Sequence, residues 1–422
     1  MTVKGKSRRG AKQRNVAAAP KVTRDSARAK RRRWAITPLT VLAGLFALTM
    51  IVVIVWAVIY TLSPTPVAGL SEYNETTKTA RMNIEASGTQ ILGLADEVIA
   101  GTTDVNTAAG EASARSAEMA GAAATIRTST ATAEFSSAKT AQEVAALSVE
   151  QAAKTMGLMN GQTDAALTSA LAKKAAREVR LGFALLGLGN GILLSLEEGQ
   201  QFEETPEDVA DPADPDPYAP AAPLDGLGEA GVVPAPKVNL DTQSDDDYAK
   251  SAIEILAYVD TAIANMGDAV SAYESSKDAA ALQTASVAWA EAIKTGIDQL
   301  AATARPETIQ AADALLRNAL WAWFESAGSF ASVATQPGFA DQMLNSGKAL
   351  RLMGDQLRAS AAGEISRATE KTLPAAPSSG FPASIIDPSA TTTTVPSAPG
   401  TAPQVPGGPA VPAPGGVTVP TG

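Results

Sequence analysis

The segment AIEILAYVDTAIANMGDAVSAY, from Ala252 to Tyr273, carries the most regular hydrophobic pattern in the C-terminal half of the chain. Its larger apolar residues recur at alternating spacings of four and three: Ala252, Leu256, Val259, Ile263, Met266, Val270 and Tyr273. This is the seam of a helix that packs along its length against other helices. Three more helical patterns follow with short connections, so we predict an up-down four-helix bundle over residues 248–370.

An aromatic cluster in the third of these helices is the candidate partner patch. The run Leu320-Trp321-Ala322-Trp323-Phe324 places three large rings in little more than one helical turn. They cannot all face one core, so at least one ring is expected near the surface or in a cleft between helices. Two interpretations stay open: core and boundary packing, or a partner-binding patch of Trp321, Trp323 and Phe324.

The composition excludes several kinds of chemistry. The chain has no His and no Cys, which rules out imidazole acid–base catalysis, thiol nucleophiles and Cys/His zinc sites. It also has no P-loop and no Gly-x-Ser-x-Gly elbow. Five acids of the predicted bundle are expected on a solvated face: Glu254, Asp260, Asp268, Glu291 and Asp298. We therefore predict no catalytic, cofactor-binding or metal-binding residues, and a chain that is not an enzyme.

Upstream of the bundle, residues 71–200 are predicted as an Ala-rich helical region. Its most apolar stretch, Leu181–Leu196, contains four Gly and only 16 residues, which is short for a membrane span. Three alternatives remain for it: a core helix in which Gly lets a neighbour approach, a segment lying against a membrane surface, or a second span. Basic residues before it and acidic residues after it disfavour the span.

The N-terminus predicts a membrane anchor. Residues 1–33 are strongly basic and are expected to form a disordered cytoplasmic arm. Residues 34–62 are apolar, long enough to cross a bilayer, and too long for a cleaved signal peptide. We predict a single signal-anchor helix with the bulk of the chain outside the cytoplasm. Membrane lipid is the expected contact of the basic arm, and nucleic acid is the disfavoured alternative.

Two segments have the composition of disordered chain. Residues 201–247 are acidic and rich in Pro, which predicts a solvated linker; a calcium loop is disfavoured because the Gly turn and closing Glu are missing. Residues 371–422 are rich in Pro, Thr, Ala and Gly and are predicted as a disordered tail, with a mucin-like stretch at Thr391–Thr394.

This layout resembles, in style only, the single-pass envelope proteins of high-GC Gram-positive bacteria. The resemblance rests on composition and not on a motif. It implies a membrane-anchored envelope protein whose helical part binds or braces another envelope protein or a wall polymer, with association of two copies through the helices also open. The alternative is a ligand-sensing ectodomain that works through a partner protein, because 33 basic residues offer no output domain of their own.

Overall fold

Helices make up most of the residues that the computed structural model describes, which are Met50, 67–203, 238, 240, 241 and 244–390. They are α1 (Leu70–Ala100), α2 (Val105–Ala114), α3 (Ser116–Thr128), α4 (Ser136–Gly157), α5 (Ala165–Glu198), α6 (Asp245–Ile263), α7 (Met266–Ser276), α8 (Ala279–Ala302), α9 (Gln310–Thr335) and α10 (Ala340–Ala368). No strand occurs within these ranges, so the mostly α fold class is confirmed.

Several of the sequence-based predictions concern other parts of the chain. The basic arm 1–33, the anchor 34–62 except Met50, linker residues 204–237 and tail residues 391–422 lie outside the described residues. The chain divides into two units, Met1–Ser63 and Pro64–Gly422. The described residues from 67 onward all belong to the second, which we call the helical unit.

Local capping explains where these helices begin and end. The Asp104 side chain accepts a hydrogen bond of 2.9 Å from the Thr107 amide at the start of α2. Asp164 does the same for α5, at 2.9 Å from the Ala166 amide. Gly101 ends α1 with φ 68°, a left-handed conformation that residues with a Cβ rarely adopt. The end of α1 and the start of α5 are therefore set by residues within one turn of them.

The central helix of the N-terminal half is α4, which is buried on nearly every side against α1, α2, α3 and α5. Its contact with α5 is close because α5 has Gly at the crossing. A Cβ on Gly182 would lie 3.1 Å from the Ala145 carbonyl oxygen, and one on Gly189 would lie 3.0 Å from that of Ala138. The predicted alternative in which Gly lets a neighbour approach therefore describes this contact.

Helix α5 is the one helix in the described part of the chain that is long and apolar enough to cross a membrane. It is not N-terminal, and 56% of its most apolar window is buried inside the helical unit. Core helices pass the same test of length and composition. Among its buried residues are Leu181, Leu185, Leu188 and Ile192.

In the C-terminal half, α9 packs against both α8 and α10, while α6 and α7 pack against α8. All seven residues of the predicted seam from Ala252 to Tyr273 are buried. The helix that carries them is nevertheless broken, because α6 ends at Ile263 and α7 begins at Met266. The two halves also contact each other, α4 with α10 and α5 with α9, so regions 71–200 and 248–370 share one unit.

After α10, residues 370–390 form what we call the strap, which lies on the helices. Its Leu373 and Ile386 are 4% and 5% exposed. Arg351 and Arg358 donate hydrogen bonds of 2.8 Å to the carbonyl oxygens of Pro377 and Pro374. The prediction of a disordered tail from 371 is thus wrong for 371–390. The composition of the strap predicts little burial of apolar side chains. Much of its attachment comes instead from backbone carbonyl oxygens, which composition does not reveal.

Candidate functional site

A cleft of about 760 Å³ lies between the first half of α5 and the second half of α9, with α8 beside it. The turn Gln336–Phe339 and Gln162 contribute to its lining. We call it the α5–α9 cleft. Its volume lies within the roughly 300–1,000 Å³ of small-molecule sites. Its lining includes Leu167, Ala170, Lys173, Lys174, Arg177, Ser286, Phe324, Glu325, Ser329, Ser332 and Phe339.

A buried network of charged side chains meets the cleft. Arg177 Nε donates to Glu325 Oε1 at 2.6 Å, and both side chains are less than a tenth exposed. Lys174 Nζ lies 2.7 Å from Glu178 Oε1 and 2.8 Å from Ser329 Oγ. Buried charges are tolerated only when they are paired and hydrogen-bonded. These pairs join α5 to α9 and place fixed charges in a largely apolar interior.

Glu178 extends the network away from the cleft. Its side chain is fully buried and accepts hydrogen bonds from Thr155 Oγ1 of α4 at 2.8 Å and from Ser346 Oγ of α10 at 3.3 Å. Together with Lys174 these contacts give the carboxylate three partners. The lining of the cleft is therefore connected through Glu178 to two helices that do not line it.

Lys173 differs from its neighbours because it has no partner among the described residues. Its side chain lines the cleft and is only partly exposed. The nearby carboxylate of Asp164 is occupied in capping α5, where it accepts from the amides of Ala166 and Leu167. An ammonium group with three donors is thus available to a molecule in the cleft.

The rest of the lining is mostly apolar. Leu167 comes from α5, Phe324 from α9 and Phe339 from the turn that follows α9, and several Ala side chains lie between them. Apolar walls with a few placed polar groups are the usual construction of a small-ligand site. The cleft can therefore hold a molecule that is mostly apolar and polar at one place.

The predicted partner patch does not form an exposed surface. Trp321, Trp323 and Phe324 are 5%, 0% and 9% exposed. Trp321 stacks on Phe324 with ring centroids 5.6 Å apart. Of the three, only Phe324 lines the cleft. The two tryptophans therefore pack in the core and at its boundary. Phe324 is the ring that lies at a cleft between helices.

Trp323 belongs to a second buried cluster, which holds the strap. Its Nε1 donates to Asp355 Oδ1 at 3.1 Å, and the guanidinium groups of Arg351 and Arg358 lie 4.6 and 5.5 Å from its ring centroid. Burial raises the pKa of the Asp355 carboxyl and lowers that of the Arg351 guanidinium, because desolvation outweighs their mutual attraction. Asp260 pairs with Arg358 and so lies in this cluster, not on a purely solvated face.

Sequence reasoning missed the cleft because it treated the cations of α5 only as evidence on membrane topology. The signal that could have found it is charge in mid-helix: Lys173, Lys174, Arg177 and Glu178 interrupt an otherwise apolar helix, and Glu325 interrupts α9. No group of three or more acidic residues suited to a metal occurs in the described ranges.

Comparison with known proteins gives no relative from which a function can be transferred. No protein-family model matches the chain, no curated protein is significantly similar to it in sequence, and no solved structure matches its fold.

Proposed function

We propose that this chain is a non-enzymatic, single-pass membrane protein of a bacterial cell envelope, whose helical unit lies outside the cytoplasm and binds a small ligand in the α5–α9 cleft. The observation that carries the binding role is the cleft itself, with an apolar lining and a buried, paired set of charges. Such a site is organised before a ligand arrives, which reduces the entropy cost of binding.

The membrane anchor and its orientation are supported by the sequence. A basic arm precedes an apolar run long enough to cross a bilayer, and cationic flanks stay on the cytoplasmic side. Protease added to intact cells stripped of their wall is expected to remove residues 71–422 and leave a small anchored fragment. Protection of α6–α10 would contradict this and indicate that α5 crosses the membrane as a second span.

The four-helix bundle over residues 248–370 is part of the same proposal. It is supported by the packing of α9 against α8 and α10 and by the buried seam of α6 and α7. In this arrangement α6 and α7 together provide the first of the four helices.

A sensing role through a partner protein is the second candidate, and one observation favours it. Glu178 connects the cleft to α4 and α10, so a ligand that displaces Lys174 or Ser329 also disturbs contacts on those helices. A ligand can shift an equilibrium between two arrangements only if it binds one of them better. Crosslinking from intact cells, with and without an occupied cleft, would identify a partner whose binding depends on the ligand.

The binding role is tested by filling the cleft. Ala170 lines it from an exposed position on α5, so Ala170→Trp places a large ring in the opening without removing a core side chain. The matched control is Ala257→Trp, at an exposed position of α6 outside the lining. Full-length proteins would be purified from their own membranes, denatured, and their released small molecules compared by mass spectrometry.

A compound present with the parent and with Ala257→Trp, but depleted with Ala170→Trp, supports the proposal. Identical small-molecule content in all three proteins contradicts it. Equal melting temperatures of the two variants show that the difference is not a loss of fold.

A further inference from the structure

We propose that the ligand of the α5–α9 cleft is an anionic amphiphile, a molecule with a carboxylate or phosphate head and an acyl chain. This inference rests on the proposed function, and it adds the chemical class of the ligand. It follows from the distribution of hydrogen-bond donors, charge and apolar surface in the lining.

The lining offers the ammonium groups of Lys173 and Lys174 as charged donors, beside Arg177, which is paired with Glu325; Gln162, Ser169 and Gln336 add neutral polar groups. Four hydroxyl groups of the lining donate to carbonyl oxygens of their own helices: Ser286 to Leu282, Ser329 to Glu325, Ser332 to Gly328 and Thr335 to Ser332. Lys173 keeps all three N–H donors in the described structure. Lys174 uses two of its three, on Glu178 and Ser329. A ligand in the cleft therefore contacts charged lysine N–H groups. These groups bind a hydrogen-bond acceptor, and they bind an anion more strongly than a neutral acceptor.

The charge of the lining agrees with an anionic head. Arg177 is paired with Glu325, and Lys174 with Glu178, so these four charges balance. The remaining charges of opposite sign are Lys173 and Asp164. The Asp164 carboxylate is bound to amides at the start of α5, where the helix dipole already compensates a negative charge. Lys173 is thus the uncompensated group, and one negative charge satisfies it.

The apolar part of the lining favours a ligand with an acyl chain. Leu167, Phe324 and Phe339 present aliphatic and aromatic surface to the same space. A fully polar anion such as inorganic phosphate would leave this surface in contact with water, whereas an acyl chain would cover it. Removal of apolar surface from water is favourable. The two halves of the cleft together select a molecule with a charged head and an apolar body.

The experiment uses the full-length protein in phosphatidylcholine nanodiscs. Three photoreactive diazirine probes of equal chain length carry a carboxylate, a hydroxyl or an ammonium head. Labelled residues are located by mass spectrometry. We expect the carboxylate probe to label cleft residues about tenfold more than the other two, as a charge-assisted hydrogen bond predicts.

Lys173→Gln tests whether the Lys173 ammonium binds the carboxylate head of the probe. It removes the free ammonium and should reduce carboxylate labelling to the level of the alcohol, while alcohol labelling stays the same. The matched control is Lys154→Gln on α4, whose lysine is exposed and paired with Glu150. Lys154→Gln should change neither the carboxylate labelling nor the alcohol labelling of the cleft.

Two sources can supply this chemistry, a free fatty acid or an anionic membrane lipid. Repeating the experiment in nanodiscs that contain phosphatidylglycerol separates them. Loss of carboxylate labelling there supports a lipid head group that enters the cleft, and unchanged labelling supports a free acid. Both results agree with the proposed class.

Equal labelling by the carboxylate and alcohol probes, unaffected by Lys173→Gln, overturns the anionic class but leaves a ligand cleft in place. Stronger labelling by the ammonium probe than by the carboxylate probe also overturns the anionic class and leaves a ligand cleft in place. No labelling of the cleft by any probe overturns the inference as a whole, and the comparison of Ala170→Trp with Ala257→Trp then decides separately whether the cleft binds any small molecule.

Discussion

The carbonyl oxygen of Ser379 lies so close to Gly267 that a Cβ on that glycine would be 2.1 Å from it. Gly267 is in the first turn of α7, and Ser379 is in the middle of the strap, so the strap rests directly on helix backbone. Only glycine leaves room for this contact, because the obstructing atom is main chain and cannot rotate away.

Gly267→Ala is therefore expected to displace the strap. We expect a loss of about 1–3 kcal/mol in the free energy of unfolding, the usual cost of inserting atoms into a packed contact. Chemical denaturation would measure the loss, and hydrogen exchange at residues 373–381 would locate it.

The control for this prediction is Gly363→Ala, in the exposed part of α10, where a Cβ would meet nothing within 4 Å. It should stabilise the protein by up to about 1 kcal/mol, as Ala does in place of Gly in a helix. Equal effects of the two substitutions would show that the strap does not press on Gly267.

Replacing Arg358 should destabilise the helical unit strongly. Its side chain is 2% exposed and donates from Nη2 to Asp260 Oδ2 and to the Pro374 carbonyl oxygen, both at 2.8 Å. Arg358→Gln leaves a partly buried carboxylate without its cation, for which about 3 kcal/mol is expected. Lys294→Gln, which breaks an exposed pair with Asp298, should cost less than about 0.5 kcal/mol. A thermal melt that does not separate the two variants contradicts the role given to Arg358.

The phase of the first seam can be tested within one helix. Ile263 is 1% exposed, and Glu254 lies on the exposed face of the same helix α6. Ile263→Asp buries an unpaired carboxylate, which costs several kcal/mol, and should unfold or nearly unfold the unit at neutral pH. Glu254→Ala should change stability by less than about 0.5 kcal/mol. Circular dichroism during denaturation measures both, and a reversed order of effects would place the seam on the wrong face.

The end of the strap should loosen in acid. Hydrogen bonds from Ser389, followed by the charge of Arg127, lower the pKa of the Asp387 carboxyl below its ordinary value. A group whose pKa is lower in the folded state contributes stability above its unfolded pKa of about 3.9, and this stability is lost as pH falls through the folded value. Methyl NMR signals of Ile385 and Ile386 should report a more mobile strap below about pH 4.

Asp387→Asn is the matched control for the pH effect. Its strap end should be as mobile at neutral pH as that of the parent in acid, and its signals should not change further on acidification. An acid transition that persists in Asp387→Asn would assign the titration to another group.

The sequence predicted the elements that depend on local pattern. The four- and three-residue spacing around Ile263 identified the buried face of α6 and α7, because periodicity acts within a few residues. The break between Ile263 and Met266 was not predicted, since the apolar spacing continues across it. That spacing shows which residues are buried but does not require an unbroken helix.

The features that were missed depend on pairs far apart in the chain. Arg177 pairs with Glu325, and Arg127 with Asp387, across 148 and 260 residues. No local pattern in a single sequence reveals such partners. The strap was missed for a further reason: its carbonyl oxygens, which every residue possesses, are what Arg351 and Arg358 bind.

The attachment of the strap also has a consequence for the order in which the protein is completed during synthesis. Translation proceeds from the N-terminus, and chains fold as they emerge. Helices α8, α9 and α10 are therefore made before Pro374 and Pro377 exist, so Arg351 and Arg358 must wait for the last acceptors of their guanidinium groups. A nascent chain released at the end of α10 has all of α1–α10 but leaves two cations beside Trp323 without these carbonyls. Such a truncated product lacks one native acceptor of each guanidinium group, so it is expected to be less stable than the finished chain.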